Sequence, residues 1–127
     1  VERLIEHWMT GFGAEYNPTR KEALLVTKVM NNLSETVRAL TELYGKRPVT
    51  VATCASKFSG SVSFKHVRSA IQKGEPILLL FGTGWGLEKN ILNEADYVLD
   101  PIEGFGEYNH LPVRAAVAII LDRLISR

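Results

Sequence analysis

The chain has 127 residues, 46% hydrophobic and 23% charged, with a formal net charge of +1. That composition fits one globular domain, residues 1–127, and the near-neutral charge excludes a protein that holds nucleic acid by bulk electrostatics alone. A single cysteine, Cys54, excludes an internal disulfide framework, and the three histidines, His7, His66 and His110, make no ligand spacing with it, so no metal site is expected.

From Glu2 to Thr10 the apolar residues Leu4, Ile5, Trp8 and Met9 recur at helical spacing, and Gly11 and Gly13 stop the run. The chain begins inside this helix, which leads to the expectation of a missing upstream segment. Ala14 to Lys21 reads as a polar loop around Asn17-Pro18, and the β-branched content of residues 24 to 30 favours a strand there over a helix. Ser34, Val37, Leu40, Leu43 and Tyr44 mark a helix ended by Gly45, and Pro48 leads into the strand Val49 to Thr53. A small-residue loop, Cys54 to Ser61, precedes a helix from Ser63 to Lys73, with Phe64, Val67 and Ile71 inward and Gly74 as its stop. The buried-type strand Ile77 to Phe81, a short helix Glu88 to Asn93, a strand Tyr97 to Asp100 and a final helix 111 to 126 complete the chain. Strands and helices in this alternation predict an α/β domain with a mainly parallel sheet covered by helices on both faces. The apolar runs fall far short of the roughly 20 residues of a membrane span and no signal-peptide pattern opens the chain; the cytoplasm is the expected compartment.

Two glycine-relaxed loops follow strand ends: Gly82-Thr83-Gly84-Trp85-Gly86 and Pro101-Ile102-Glu103-Gly104-Phe105-Gly106. Such loops let main-chain groups approach a nucleotide-like ligand, although glycines that merely permit tight turns would look the same. The first loop, with Asp100 ending the next strand, imitates a dinucleotide fingerprint, but its third glycine is one position early and only one strand remains after it. No Gly-Lys-Ser/Thr follows for a P-loop. Trp85 either packs on the core or walls a ligand, and packing is the favoured reading. Asn109 is expected to cap the last helix, whose first turn accommodates Pro112. That helix is apolar nearly all round, through Val113, Ala116, Val117, Ile120, Leu121 and Leu124 widened by Ala115, Ala118 and Ile119, and so implies a central position or a subunit interface.

The segments LLLFGTGWGL, EADYVLDPIEG and YNHLPVRAAVAIILDRL, together with GAEYNPTR at Gly13 to Arg20, closely resemble the SAM-dependent RNA methyltransferases of the SPOUT superfamily. Within it, the match is to a small family related to the bacterial tRNA guanine-N1 methyltransferase. The resemblance covers essentially the whole chain and implies a deep C-terminal trefoil knot, a rare exception to unknotted topology, and a homodimer with its active site at the interface.

For the cofactor, S-adenosyl-L-methionine, the resemblance implies a bent pose held mostly by main-chain groups. The matching positions are Thr53, Phe81, Gly82, Thr83, Gly84, Trp85, Gly86, Leu87, Pro101, Ile102, Gly104, Asn109, His110, Leu111 and Val113. The implied substrate is RNA, in particular tRNA. Family members begin with a strand, a loop and a helix that carry catalytic polar residues, and nothing before Val1 supplies them. Glu107 and Asn109 are the remaining catalytic candidates, and Arg20, Lys21 and Lys57 are candidates for RNA phosphate. Two functions of different class follow: an RNA methyltransferase, or a catalytically incomplete cofactor-binding and dimerisation module of a larger protein. Nicotinamide cofactor binding at the glycine loop is a third.

Overall fold

A computed structural model describes residues 18–104, 106 and 110–126. The chain divides into two compact units, residues 1–39 and 40–127. The first unit contains α1 (Pro18–Leu25) and most of α2 (Leu33–Tyr44), which crosses the boundary. The second contains β1 (Val49–Ala52), α3 (Phe64–Gln72), β2 (Ile77–Leu80), α4 (Lys89–Glu94), β3 (Tyr97–Val98) and α5 (Val113–Ile125).

The helix α1 corrects two expectations, the loop through Lys21 and the strand over 24–30. Proline suits a first helical position, where its absent N–H would be unpaired in any case, and Arg20, Lys21, Glu22, Ala23, Leu24 and Leu25 are good helix formers. The β-branched residues that suggested a strand fall at and beyond the helix end, which Thr27 closes by donating from N–H to the Leu24 carbonyl (3.0 Å) and from its hydroxyl to Ala23 (3.3 Å). No sheet edge takes up this segment. The helix α2 starts one residue before the expected Ser34, because Asn32 Oδ1 accepts the Glu35 N–H at 2.9 Å and so caps it. The expected helix over 2–10 lies outside the described residues.

In the second unit the three strands form a parallel sheet in the order β2-β1-β3. Val49 pairs with Ile77 and Ala52 with Leu80 on one side of β1; Val51 pairs with Tyr97 and Ala52 with Val98 on the other. The edge strand is shorter than the expected 97 to 100, since Leu99 instead bridges to Val62 from the loop before α3. Side-chain alternation along each strand sorts the core into two layers. Val51 and Leu99 pack with Val67 of α3 and with Ile120 and Leu124 of α5, flanked by Val49, Ile77, Leu79 and Phe81. On the opposite face, Ala52 and Val98 pack with Leu92 of α4, flanked by Phe58 and Leu87. Helices therefore cover both faces, as the alternation of elements predicts.

Two of these helices have identifiable chemical features at their ends. Ser63 Oγ accepts the His66 N–H at 3.1 Å and opens α3, and Gly74 ends it in the left-handed region (φ +85°), which a side chain would resist. Arg68 of α3 donates its guanidinium to the carbonyls of Arg123 (3.0 Å) and Ser126 (2.5 Å), placing a positive charge on the C-terminal end of α5. Arg123 in turn lies over the Phe64 ring at 5.2 Å. Asp96 ties the strand starts together: its carboxylate accepts from the Thr50 N–H (2.8 Å), the Thr50 hydroxyl (3.1 Å) and Arg47 (2.9 Å). Burial alone would raise the Asp96 pKa, but these donors outweigh it and hold the carboxyl below the ordinary aspartate value.

The helix α5 begins at Val113 with Pro112 at the N-cap position, where Asn109 was the expected cap. Asn109 itself lies outside the described residues. Nor is α5 enclosed within this chain. Ile120 and Leu124 are buried against α3 and the sheet, whereas Leu121 is 38% and Ile125 64% exposed.

Candidate functional site

Parallel strands all point the same way, so the loops after β1, β2 and β3 emerge together at one end of the sheet. They enclose, with the start of α5, a cavity of about 500 Å³, within the roughly 300–1,000 Å³ of small-molecule clefts. Thr53 to Ser56 follow β1, Phe81 to Leu87 follow β2, Asp100 and Ile102 follow β3, and His110 to Val113 lead into α5. Leu92 of α4 and Ala116 and Ile120 of α5 complete the apolar lining.

The loop after β2 is a tight turn. Gly86 N–H donates to the Thr83 carbonyl at 2.9 Å, and the Trp85 N–H donates to the Thr83 hydroxyl at 3.2 Å. This folds Gly86 and Leu87 back over Gly82, where an added Cβ would lie closer than 3.0 Å to the Gly86 C and O and the Leu87 N, all backbone atoms. Glycine at position 82 is thus required by close approach. Trp85 stands at the tip of the turn and is 98% exposed, which corrects the reading that it packs on the core. The glycines on either side carry no side chains to build an apolar bed for the ring.

Of the expected cofactor positions, Thr53, Phe81, Gly82, Thr83, Gly84, Trp85, Gly86, Leu87, Ile102, His110, Leu111 and Val113 line this one cavity. Thr53 is fixed at its rim by donating both N–H (3.1 Å) and hydroxyl (2.8 Å) to the Leu80 carbonyl. Pro101 and Gly104 line instead a second cavity of about 420 Å³ alongside. Asn109 and the catalytic candidate Glu107 lie outside the described residues. Arg20 and Lys21 sit on α1 in the first unit. Lys57 donates to Asp100 Oδ1 at 2.9 Å and borders the second cavity.

Sequence reasoning missed Cys54, Ala55, Ser56 and Asp100 as lining residues. The first three form a small-residue loop at a strand's C-terminal end, the same signal that marked the glycine loops. Asp100 accepts from the Ser61 hydroxyl (2.5 Å) and from Lys57. The Ser61 hydrogen bond, then that of Lys57, holds its carboxyl below the ordinary aspartate value against the opposing effect of burial. A carboxylate thus borders the first cavity, and no lysine or arginine lines it among the described residues. The lining among the described residues offers no lysine or arginine to the pyrophosphate of a dinucleotide, and the Asp100 charge is met by Lys57. Among the described residues, no group of histidine, cysteine and acidic side chains could hold a metal ion.

An open parallel sheet with a cavity beyond its strand ends defines an α/β domain with a cleft in the place where such sheets bind ligands. The comparison with known families is specific: the chain belongs to the SAM-dependent RNA methyltransferase family, whose model matches residues 1–126. The family's cofactor is S-adenosyl-L-methionine. An uncharacterized protein of Aquifex aeolicus is 41% identical over 128 residues, which is 100% of this chain and 62% of that protein. The tRNA (guanine-N(1)-)-methyltransferases of Oleidesulfovibrio alaskensis and Nitratidesulfovibrio vulgaris are each 38% identical over 125 residues, or 98% of this chain and 29% of theirs. The chain thus spans under two thirds of each of these relatives. Among the described residues, no helix is long and apolar enough to cross a membrane.

Proposed function

We propose that this chain is a SAM-dependent RNA methyltransferase acting on tRNA in the cytoplasm, with the cofactor in the 500 Å³ cavity. The observation that carries the reading is the convergence of twelve expected cofactor positions, drawn from three strand ends and the start of α5, on one cavity of nucleoside-like chemistry. The residues fit the cofactor. Phe81, Leu92, Ile102 and Leu111 offer apolar surface for the adenine, the Gly82 to Leu87 turn offers main-chain groups, and the Asp100 carboxylate suits a ligand bearing a sulfonium and an ammonium. Each main-chain hydrogen bond gained would contribute about 1 kcal/mol net.

When bound, S-adenosylmethionine supplies an electrophilic methyl group. The protein's part is then to hold the acceptor atom in line and to exclude water. Glu107 and Asn109 are the candidates for removing a proton from the acceptor, and Arg20, Lys21 and Lys57 for contacting phosphate. The proposed assembly is a homodimer with a C-terminal trefoil knot, and the exposed Leu121 and Ile125 of α5 are the surface such a partner would cover.

A second reading is favoured by the length of the relatives: a chain that aligns with 29% of a tRNA methyltransferase can be a cofactor module whose catalytic partners lie elsewhere. Calorimetric titration with S-adenosylmethionine, followed by incubation with labelled cofactor and unmodified total tRNA, separates the two. Binding with methyl incorporation supports the enzyme. Binding without incorporation at saturating cofactor supports the module, and absence of binding overturns both.

A further inference from the structure

We propose that the second cavity, bordered by Ser56, Lys57, Glu103 and His110, receives the acceptor nucleotide, engaging its base edge and its 5′-phosphate. The inference rests on the reading of the first cavity as the cofactor site. Adjacency comes first. The two cavities share Ala55, Ser56 and His110, so a ligand in one borders a ligand in the other. Methyl transfer requires reacting atoms to approach to about 3–3.5 Å, and an acceptor must therefore occupy space that adjoins the cofactor's. At about 420 Å³ the second cavity is large enough for a small-molecule ligand.

The chemistry of the two cavities differs in the way two such ligands would need. The first is walled mainly by apolar side chains and glycines, with Asp100 at its border; the second adds the Lys57 ammonium and the Glu103 carboxylate to the shared Ser56 hydroxyl and His110 imidazole, around a floor of Pro101, Gly104 and Gly106. Hydroxyl, carboxylate and imidazole groups match the alternating donors and acceptors of a nucleobase edge. Among the described residues, nothing lies within 4 Å of where a Cβ would stand on Gly104 and Gly106. Lys57 adds a cation, which the first cavity lacks. Its ammonium is held at 2.9 Å from Asp100, which borders the first cavity, and Lys57 itself borders the second. An ammonium has three donors, so the ion pair anchors Lys57 at the junction while leaving capacity for a phosphate.

The test uses the full chain labelled with ¹⁵N, titrated first with S-adenosylhomocysteine and then with each of the four nucleoside 5′-monophosphates. Saturable amide shifts at Ser56, Lys57, Glu103 and Gly104 are expected from the monophosphates in the presence of S-adenosylhomocysteine. Lys57→Ala should weaken their binding by about tenfold, the scale of one charge-assisted hydrogen bond, with Lys57→Arg restoring most of it. Glu103→Gln should alter the preference among the four bases. Monophosphate shifts confined to Thr83 to Leu87, or absent at millimolar ligand, would overturn the assignment. So would inorganic phosphate reproducing both the shifts and the affinity, which would reduce the site to an anion site. Failure of S-adenosylhomocysteine to shift Thr83 to Leu87 would instead refute the cofactor reading, and the monophosphate titration reports on the second cavity independently of it.

Discussion

Replacing Gly82 by alanine tests how closely the cofactor loop is folded on itself. The new methyl group would meet the Gly86 carbonyl and the Leu87 nitrogen closer than 3.0 Å, and these are backbone atoms that move only if the turn opens. Forcing a methyl into a packed site costs about 1–3 kcal/mol, and for a domain of this size each kcal/mol corresponds to roughly 4 °C in Tm. Opening the turn also displaces the main-chain groups offered to the cofactor. Losing one or two hydrogen bonds of about 1 kcal/mol each would weaken S-adenosylmethionine binding by roughly five- to thirtyfold. Gly84→Ala is the internal control, since nothing lies within 4 Å of its Cβ position and its φ is not in the left-handed region. Calorimetry and thermal denaturation of the two variants in parallel give the comparison. Equal affinity and Tm for Gly82→Ala and Gly84→Ala would refute the close-approach argument.

Other expectations follow from the core and its hydrogen bonds. Leu99 is almost fully buried between the sheet, α3 and α5, so Leu99→Ala should cost about 2–5 kcal/mol in urea denaturation. Asp96 binds fewer protons folded than unfolded because its folded pKa is lowered. Its stabilising contribution is therefore present above the ordinary aspartate value of about 3.9 and lost as pH falls through the lower folded value; Asp96→Asn should flatten that acid limb of a stability-pH profile. Arg68→Ala removes two donors from the last carbonyls of α5, and amide exchange should accelerate in the final turn of that helix while the β1–β2 amides stay protected. Trp85→Ala should leave Tm within about 1 °C, because a side chain so exposed contributes little packing.

The parts of the fold set by local pattern were legible in the residues alone. The strands Val49 to Ala52 and Ile77 to Leu80, the helix opening at Ser63 and the Gly74 stop appear where the pattern places them, to within a residue. Residues 18 to 30 misled because β-branched content was weighed over the helix-forming run that precedes it. Trp85 misled for a different reason: whether an aromatic ring finds a bed depends on neighbours brought by tertiary folding, and two glycines supply none. Loops at strand ends disclosed most of the first cavity. The partnership of Asp100 with Lys57 and Ser61 joins residues far apart in sequence, and no spacing rule connects them.

The strand order has a kinetic consequence. The first strand among the described residues is the centre of the sheet, β2 must find it across α3, and β3 across α3, β2 and α4, so the pairings are long-range and accrue late in folding. The walls of the cofactor cleft come from all three strands and from α5, the last helix, so the cleft is complete only once the final segment has docked. A ligand that recognises this cleft has little to hold in the folding transition state. Saturating S-adenosylmethionine should accordingly leave the refolding rate nearly unchanged and slow unfolding instead, making residence in the native state, rather than speed of reaching it, what the cofactor controls.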